Sequence, residues 1–293
     1  MDKSRIESNR GILVVGVTGQ VGGLVAHHLH QEHGLRCMGL TRNVPKVEPS
    51  TFVPVQGDLE DPESLSQAVE GCSAIFLASP LHPRQSEMQM NLVRAAQASG
   101  SCPRLVKLSG LSTSMETLVD SGRWHAEIEQ GIAESGLPAV ALRPHFFMQN
   151  LRPSLLAATA TGRMAGPAKG RVAMVDVRDV AEVAAELLLR EFDGFSVLTL
   201  TGDDAHSFDD VTRIASDVAA QAFEFAPLGE AEVRAQLEET QMPAWHIGLL
   251  CQFNAALAAG VAEQTTDDVQ RTLGRRPRRL RDTLVELLGE IES

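Results

Sequence analysis

Short apolar runs alternate along the chain with segments whose apolar positions recur every three or four residues, so the pattern predicts strands and helices in turn. The first run, Ile12 to Val15, breaks into three glycines at Gly16, Gly19 and Gly22, and Val21, Leu24, Val25 and Leu29 then keep helical spacing. A strand, a tight turn and an amphipathic helix follow from that order. Further strands are expected at "RCMGLT", "FVPVQ", "SAIFLAS", "RLVKLSG", "AVALRP" and "SVLTLTG", with helices at 63–69, 88–98 and 125–136. The continuously apolar "SAIFLAS" fits a strand buried on both faces. Residues 171–189 read as a strand running into a helix capped by Asp179. This alternation predicts an α/β fold, a Rossmann-type doubly wound parallel sheet that binds ligands at the strands' carboxyl ends. Residues 1–152, completed by elements within 172–202, are assigned to that domain. Residues 153–171 and the mainly helical 203–293 are assigned to a smaller C-terminal lobe.

Each glycine of the first turn has a physical task. Gly16 turns the chain off the strand, Gly19 admits a phosphate to the backbone, and Gly22 lets helix and strand pack closely. The helix that starts there presents free N–H groups and the positive end of its dipole. A dinucleotide cofactor is the expected ligand. Where a carboxylate would hold the ribose 2′-hydroxyl of NAD, the chain has Thr41, Arg42 and Asn43, with no acid between Glu32 and Glu48. Arginine suits a 2′-phosphate, so NADP(H) is the expected cofactor. The strand ends predict its binding residues: Gly16, Thr18, Gly19, Gln20, Val21 and Gly22 at the first turn, Arg42 after the second strand, Asp58 and Leu59 after the third. Ala78, Ser79 and Pro80 follow after the fourth strand, Leu108 and Ser109 after the fifth, and Pro144 and Phe146 after the sixth.

The 293 residues carry 43 % hydrophobic side chains, enough for a sizeable core, and a net charge of −12. That charge disfavours nucleic acid and anionic membranes as partners. No apolar run approaches the ~18 residues of a membrane span. The polar start "MDKSRIESNR" has no signal-like apolar core, and Cys37, Cys72, Cys102 and Cys251 lack metal-ligand spacing. A cytoplasmic protein with reduced thiols and a small-molecule substrate is expected, as monomer or homodimer. Five arginines stand among the seven residues of "RRPRRLR", read as a solvated lead-in to the last helix. His27, His28, His30 and His33 cluster on and just beyond the first helix, but its far end points away from the ligand edge and no carboxylate-and-cysteine set completes a site, so no metal is expected.

The segments "GVTGQVG" (16–22), "LTRNVPK" (40–46), "GDLEDPESLSQAVEGC" (57–72), "LVKLSG" (105–110), "SGLPAVALRPHFFMQNL" (135–151), "VDVRDVAEVAA" (175–185) and "LGRRPRRL" (273–280) resemble the NmrA-like group of atypical short-chain dehydrogenases/reductases. The resemblance runs nearly the full length, and its most specific part is the "LRP-x-x-FM-x-N" segment. It implies a Rossmann domain that binds NADP(H), a small lobe that shapes a substrate cleft, and one of two functions. Some relatives reduce quinones, enones or imines; others bind the cofactor as redox sensors that act through a protein partner.

Ordinary short-chain reductases protonate the substrate with a tyrosine, and this chain has none. A related subgroup uses a lysine on the helix after the fifth strand, where "RWHAEIEQ" offers His125 instead. His125 titrates near neutral pH and has Glu129 one helical turn away, which makes it the first catalytic candidate. His145, after Arg143 and Pro144, is a second, because the resemblance puts its loop near the nicotinamide. Ser109 holds the position of the short-chain reductase serine. Phe146, Phe147, Met148, Met164, Met242 and Trp245 are expected to wall an apolar pocket. Without the tyrosine, the reaction favours a pre-activated acceptor. An iminium, quinone or enone stabilises incoming electrons itself and needs mainly a well-placed hydride, whereas a plain ketone needs a proton donor. The expected function is an NADPH-dependent reductase of such a small, largely apolar acceptor, with a non-catalytic NADP(H) sensor as the alternative.

Overall fold

The computed structural model describes residues 11–44 and 51–292. The polar N-terminal stretch and the "PK" of the 40–46 motif lie outside them. In chain order the elements are β1 (Ile12–Val15), α1 (Gln20–His33), β2 (Cys37–Thr41), β3 (Phe52–Gln56), α2 (Pro62–Val69), β4 (Ala74–Leu77), α3 (Gln85–Ala98), β5 (Arg104–Leu108), α4 (Asp120–Ser135) and β6 (Ala139–Pro144). After a 3-10 turn at Met148–Leu151 come α5 (Arg152–Thr161), β7 (Arg163–Pro167), α6 (Val177–Leu188), β8 (Phe195–Leu200), α7 (Phe208–Ala219), β9 (Glu224–Leu228), α8 (Glu230–Glu238), α9 (Ala244–Ala258), α10 (Asp268–Leu273) and α11 (Leu280–Glu292).

Seven strands form one sheet in the order β3-β2-β1-β4-β5-β6-β8, and the pairs from β3 through β6 are parallel. The order reverses between β1 and β4, the topological switch point of a Rossmann-type sheet. All four residues of β4 are buried, as its unbroken apolar run requires. The strand expected at 171–175 is not one. Val172 and Val175 make only isolated bridges, to His206 and Phe147, before the chain enters α6. The cap of α6 is Asp176, whose carboxylate accepts from the Arg178 N–H at 2.8 Å, rather than Asp179. The helix holding His125 begins at Asp120, five residues before the periodicity placed it.

The chain divides into two compact units. The first comprises 1–109, 124–142 and 180–198, and the second 110–123, 143–179 and 199–293. The second therefore takes in 110–123 and 143–152, which the sequence reading gave to the Rossmann domain, and is as large as the first. Leu13, Ile75, Leu105 and Ile128 anchor the core of the first unit. The core of the second is built on Met148, Leu155, Val172, Phe208, Val211 and Leu284. Met148 and Met164 are core residues there, Met242 is exposed, and Trp245 stacks on His246. The parallel pair β7 and β9 also belongs to the second unit.

Candidate functional site

The glycine turn between β1 and α1 has the conformation its task demands. Gly16 sits at φ +77°, where a side chain is strained, and a Cβ there would meet the Ala78 carbonyl at 2.9 Å. A Cβ on Gly22 would lie 2.2 Å from the Gly16 carbonyl oxygen, so this glycine lets the helix close onto the turn. Gly19 differs: its Cβ would come no nearer than 3.2 Å to any neighbour, which leaves room for a ligand over it. As N-cap of α1, Gly19 has no side chain to satisfy the first-turn N–H groups, and no acid occupies that turn. Unsatisfied donors and a positive helix end make an anion cradle.

A cavity of about 530 Å³ opens at this turn, across the carboxyl ends of β1 to β4. It gathers Gly16, Thr18, Arg42, Asp58, Leu59, Ala78, Ser79 and Pro80 of the expected cofactor set. Gln20, Val21 and Gly22 form the first turn of α1 beside it. The expectation missed Thr41, Glu60, His82 and Met88, which also line the cavity. Two side chains there hold the walls. The Asp58 carboxylate accepts from the Glu60 N–H at 3.0 Å, and Ser79 Oγ accepts from the buried Gln89 amide at 2.8 Å. Arg42 is exposed at the rim of the cavity, where its guanidinium can meet a phosphate. These glycines, the uncapped helix end and the arginine fit a dinucleotide with a 2′-phosphate. Leu108 and Ser109 end β5 in the same unit. Pro144 and Phe146 belong to the second unit, where Phe146 packs edge-on to Phe208.

Between β5 and α4 lies a buried polar set whose central member sequence reasoning passed over. Lys107 is fully buried between the apolar Val106 and Leu108, and its Nζ lies 2.9 Å from the Leu108 carbonyl and 3.0 Å from His125 Nδ1. Burying an ammonium is costly unless its donors are satisfied, and these two contacts take up two of its three. Ser109 Oγ donates to the buried Glu129 carboxylate at 2.6 Å. His125 thus pairs with Lys107, and Ser109 with Glu129. The signal was in the sequence: a lysine set between the apolar residues of "LVKL".

His145, in the second unit, lines a separate small cavity with Gly110, Thr113, Arg143 and Val261. Burial lowers its pKa, against a backbone hydrogen bond with Ala262, and its Nδ1 is buried without a partner among the described residues. The arginine run is not merely solvated. Arg275 and the Arg278 backbone N–H hold the fully buried Asp179 carboxylate at 2.8 and 2.7 Å, and the Arg278 guanidinium binds it too.

Comparison with known proteins places this geometry. The family model described as the NmrA-like family matches residues 8–280. The NAD(P)H azoreductase of Xenophilus azovorans is 30 % identical over 268 residues, covering 90 % of this chain and 93 % of the relative. The (4-alkanoyl-5-oxo-2,5-dihydrofuran-3-yl)methyl phosphate reductase of Streptomyces griseus is also 30 % identical, over 94 % of this chain and 97 % of its own. Among solved structures, the Citrobacter triphenylmethane reductase complexed with NADP(H) superposes with a TM-score of 0.84 at 25 % identity, covering 95 % of this chain and 100 % of that one.

Proposed function

The chain belongs to the NmrA-like family, and from that footing we propose that it is an NADPH-dependent reductase of small, largely apolar, pre-activated acceptors of the quinone, enone or imine type. It is an NAD(P)H-dependent oxidoreductase, and NADP(H) is its cofactor. Bound in the groove, the cofactor supplies the hydride. The residues of the first turn hold the pyrophosphate and Arg42 the 2′-phosphate. The finer reading of the acceptor rests on chemistry. The relatives' names give an azo compound, a triphenylmethane dye and an oxo-dihydrofuran, and each is a conjugated system that spreads an incoming electron pair.

One observation carries the proton side of the reading, the 3.0 Å contact between Lys107 Nζ and His125 Nδ1. An ammonium only donates, so Nδ1 accepts and the ring's proton sits on Nε2. The adjacent positive charge disfavours a second proton on the ring. His125 is thus a neutral donor, and as its Nε2 proton passes to the reduced acceptor, Nδ1 takes one from Lys107. Ser109 commits its single proton to Glu129, so it orients the set rather than donating to substrate.

Replacing His125 with Ala tests this reading. Turnover of an acceptor that must gain a proton should fall by about 10²–10⁴-fold, the usual worth of a general acid, while an iminium, which needs no proton, should be reduced at nearly the original rate. Equal slowing of both acceptors, or of neither, would assign His125 to packing.

A further inference from the structure

We propose that His28, His33 and Glu186 form a divalent transition-metal site of the zinc class that fastens the C-terminal end of α1 to α6. In sequence the one carboxylate beside the histidines, Glu32, is not a member of the set, which needs another. The fold brings one from more than 150 residues away, with all three residues in the first unit. One ligand atom of each lies within 4.8 Å of the other two. His33 Nε2 is 3.3 Å from Glu186 Oε1, and the two imidazoles meet edge to face with centroids 5.6 Å apart.

A tetrahedral ion with bonds of about 2.0–2.2 Å spaces its ligand atoms about 3.3 Å apart. The His33–Glu186 pair already has that spacing, and His28 closes the triangle by a side-chain rotation. Two imidazoles and a carboxylate favour Zn²⁺, Ni²⁺ or Cu²⁺ over Mg²⁺ and Ca²⁺, which take oxygen ligands. The site has outer support: Arg190 binds Glu186 Oε2 at 3.2 Å and leaves Oε1 for the ion. His28 and Glu186 are half-buried and His33 is exposed, so an ion can enter from solvent with water as its remaining ligand. The site sits at the end of the fourteen-residue α1 opposite the glycine turn, about 20 Å along the axis, so it is separate from the cofactor groove.

The experiment is calorimetric titration of ZnCl₂ and of MgCl₂ into the NADPH-loaded protein, in a Cys102→Ser background that removes the exposed thiol. Zn²⁺ should bind once per chain and raise the melting temperature, and Mg²⁺ should do neither. His28→Gln, His33→Gln and Glu186→Gln should each weaken Zn²⁺ binding at least about tenfold, whereas His27→Gln should leave it unchanged. NADPH affinity should stay the same in all four variants. Zn²⁺ binding that survives His33→Gln together with Glu186→Gln, or a melting shift no larger with Zn²⁺ than with Mg²⁺, would overturn the site and leave a simple His33–Glu186 ion pair.

Discussion

In the proposed function, cofactor preference and proton supply each depend on one cationic side chain, and the two cations sit in opposite environments. Arg42 is exposed at the rim of the groove and shaped to grip a phosphate with paired hydrogen bonds. Arg42→Ala should weaken NADPH binding by about 1.5–3 kcal/mol, the worth of charge-assisted contacts, and leave NADH binding nearly unchanged. Fluorescence titration of both cofactors checks this, and equal losses for the two would remove Arg42 from the 2′-phosphate. Lys107 is buried and defines the tautomer of His125. Lys107→Met keeps the length and removes the donor, so kcat on a proton-requiring acceptor should fall while the KM for NADPH holds. The pH–rate profile should also move, because the ring no longer has a cation beside it.

At the scale of elements, the glycine turn separates fold from binding. A Cβ on Gly19 would sit 3.2 Å from the Gly16 carbonyl oxygen, a tight contact that a shift of a few tenths of an ångström relieves, so Gly19→Val should fold with a modestly lowered melting temperature yet lose both cofactors. Gly22→Val drives a branched side chain into the backbone of Gly16 and should cost several kcal/mol of stability before binding is considered. Thermal melts paired with calorimetry distinguish the two; loss of folding in Gly19→Val would put that residue in the packing class instead. The start of α6 is similarly specified. Burial pushes the Asp176 carboxyl up, but the hydrogen bonds of Arg178 and Thr283 outweigh it and hold the group below its ordinary value. One turn on, Asp179 is clasped by Arg275 and Arg278. Asp179→Asn keeps the shape but removes the charge, leaving two half-exposed arginines without their counter-ion. A loss of about 2–3 kcal/mol in urea melts is expected, below the usual cost of breaking a fully buried pair because the arginines regain water.

For the whole molecule, stability should decline in two acid windows with different causes. Burial lowers the pKa of both His145 and His206 from 6.5 in the second unit. The unfolded chain therefore binds more protons than the fold once pH drops below about 6.5, and stability is lost from there downward through the lowered values. Asp176 and Asp210 are held below their ordinary 3.8 by partners, so their contribution persists to lower pH and disappears only as those carboxylates protonate. Melting temperature against pH should fall first below about 6.5, and His145→Gln with His206→Gln should flatten that first slope alone. An unchanged slope would mean that neither ring is held neutral by the fold.

The sequence by itself determined the parallel sheet, the glycine turn and the cofactor, because these are written in local patterns: apolar runs, helical spacing, three glycines, an arginine where an acid is absent. It also marked His125 and Ser109, since one lies on the helix after the fifth strand and the other ends the strand. Only the tertiary structure decided their chemistry. The lysine beside His125 is eighteen residues away on β5, and nothing in either segment's periodicity shows that the two side chains meet. The strand expected at 171–175 was decided the same way, since its apolar residues are buried against the second core without finding a neighbouring ladder. The arginine run became the clasp on Asp179, and the first helix's histidines gained Glu186, through contacts 96 to 158 residues apart. Periodicity records which face of an element is buried; which charges face each other is set only when distant elements pack.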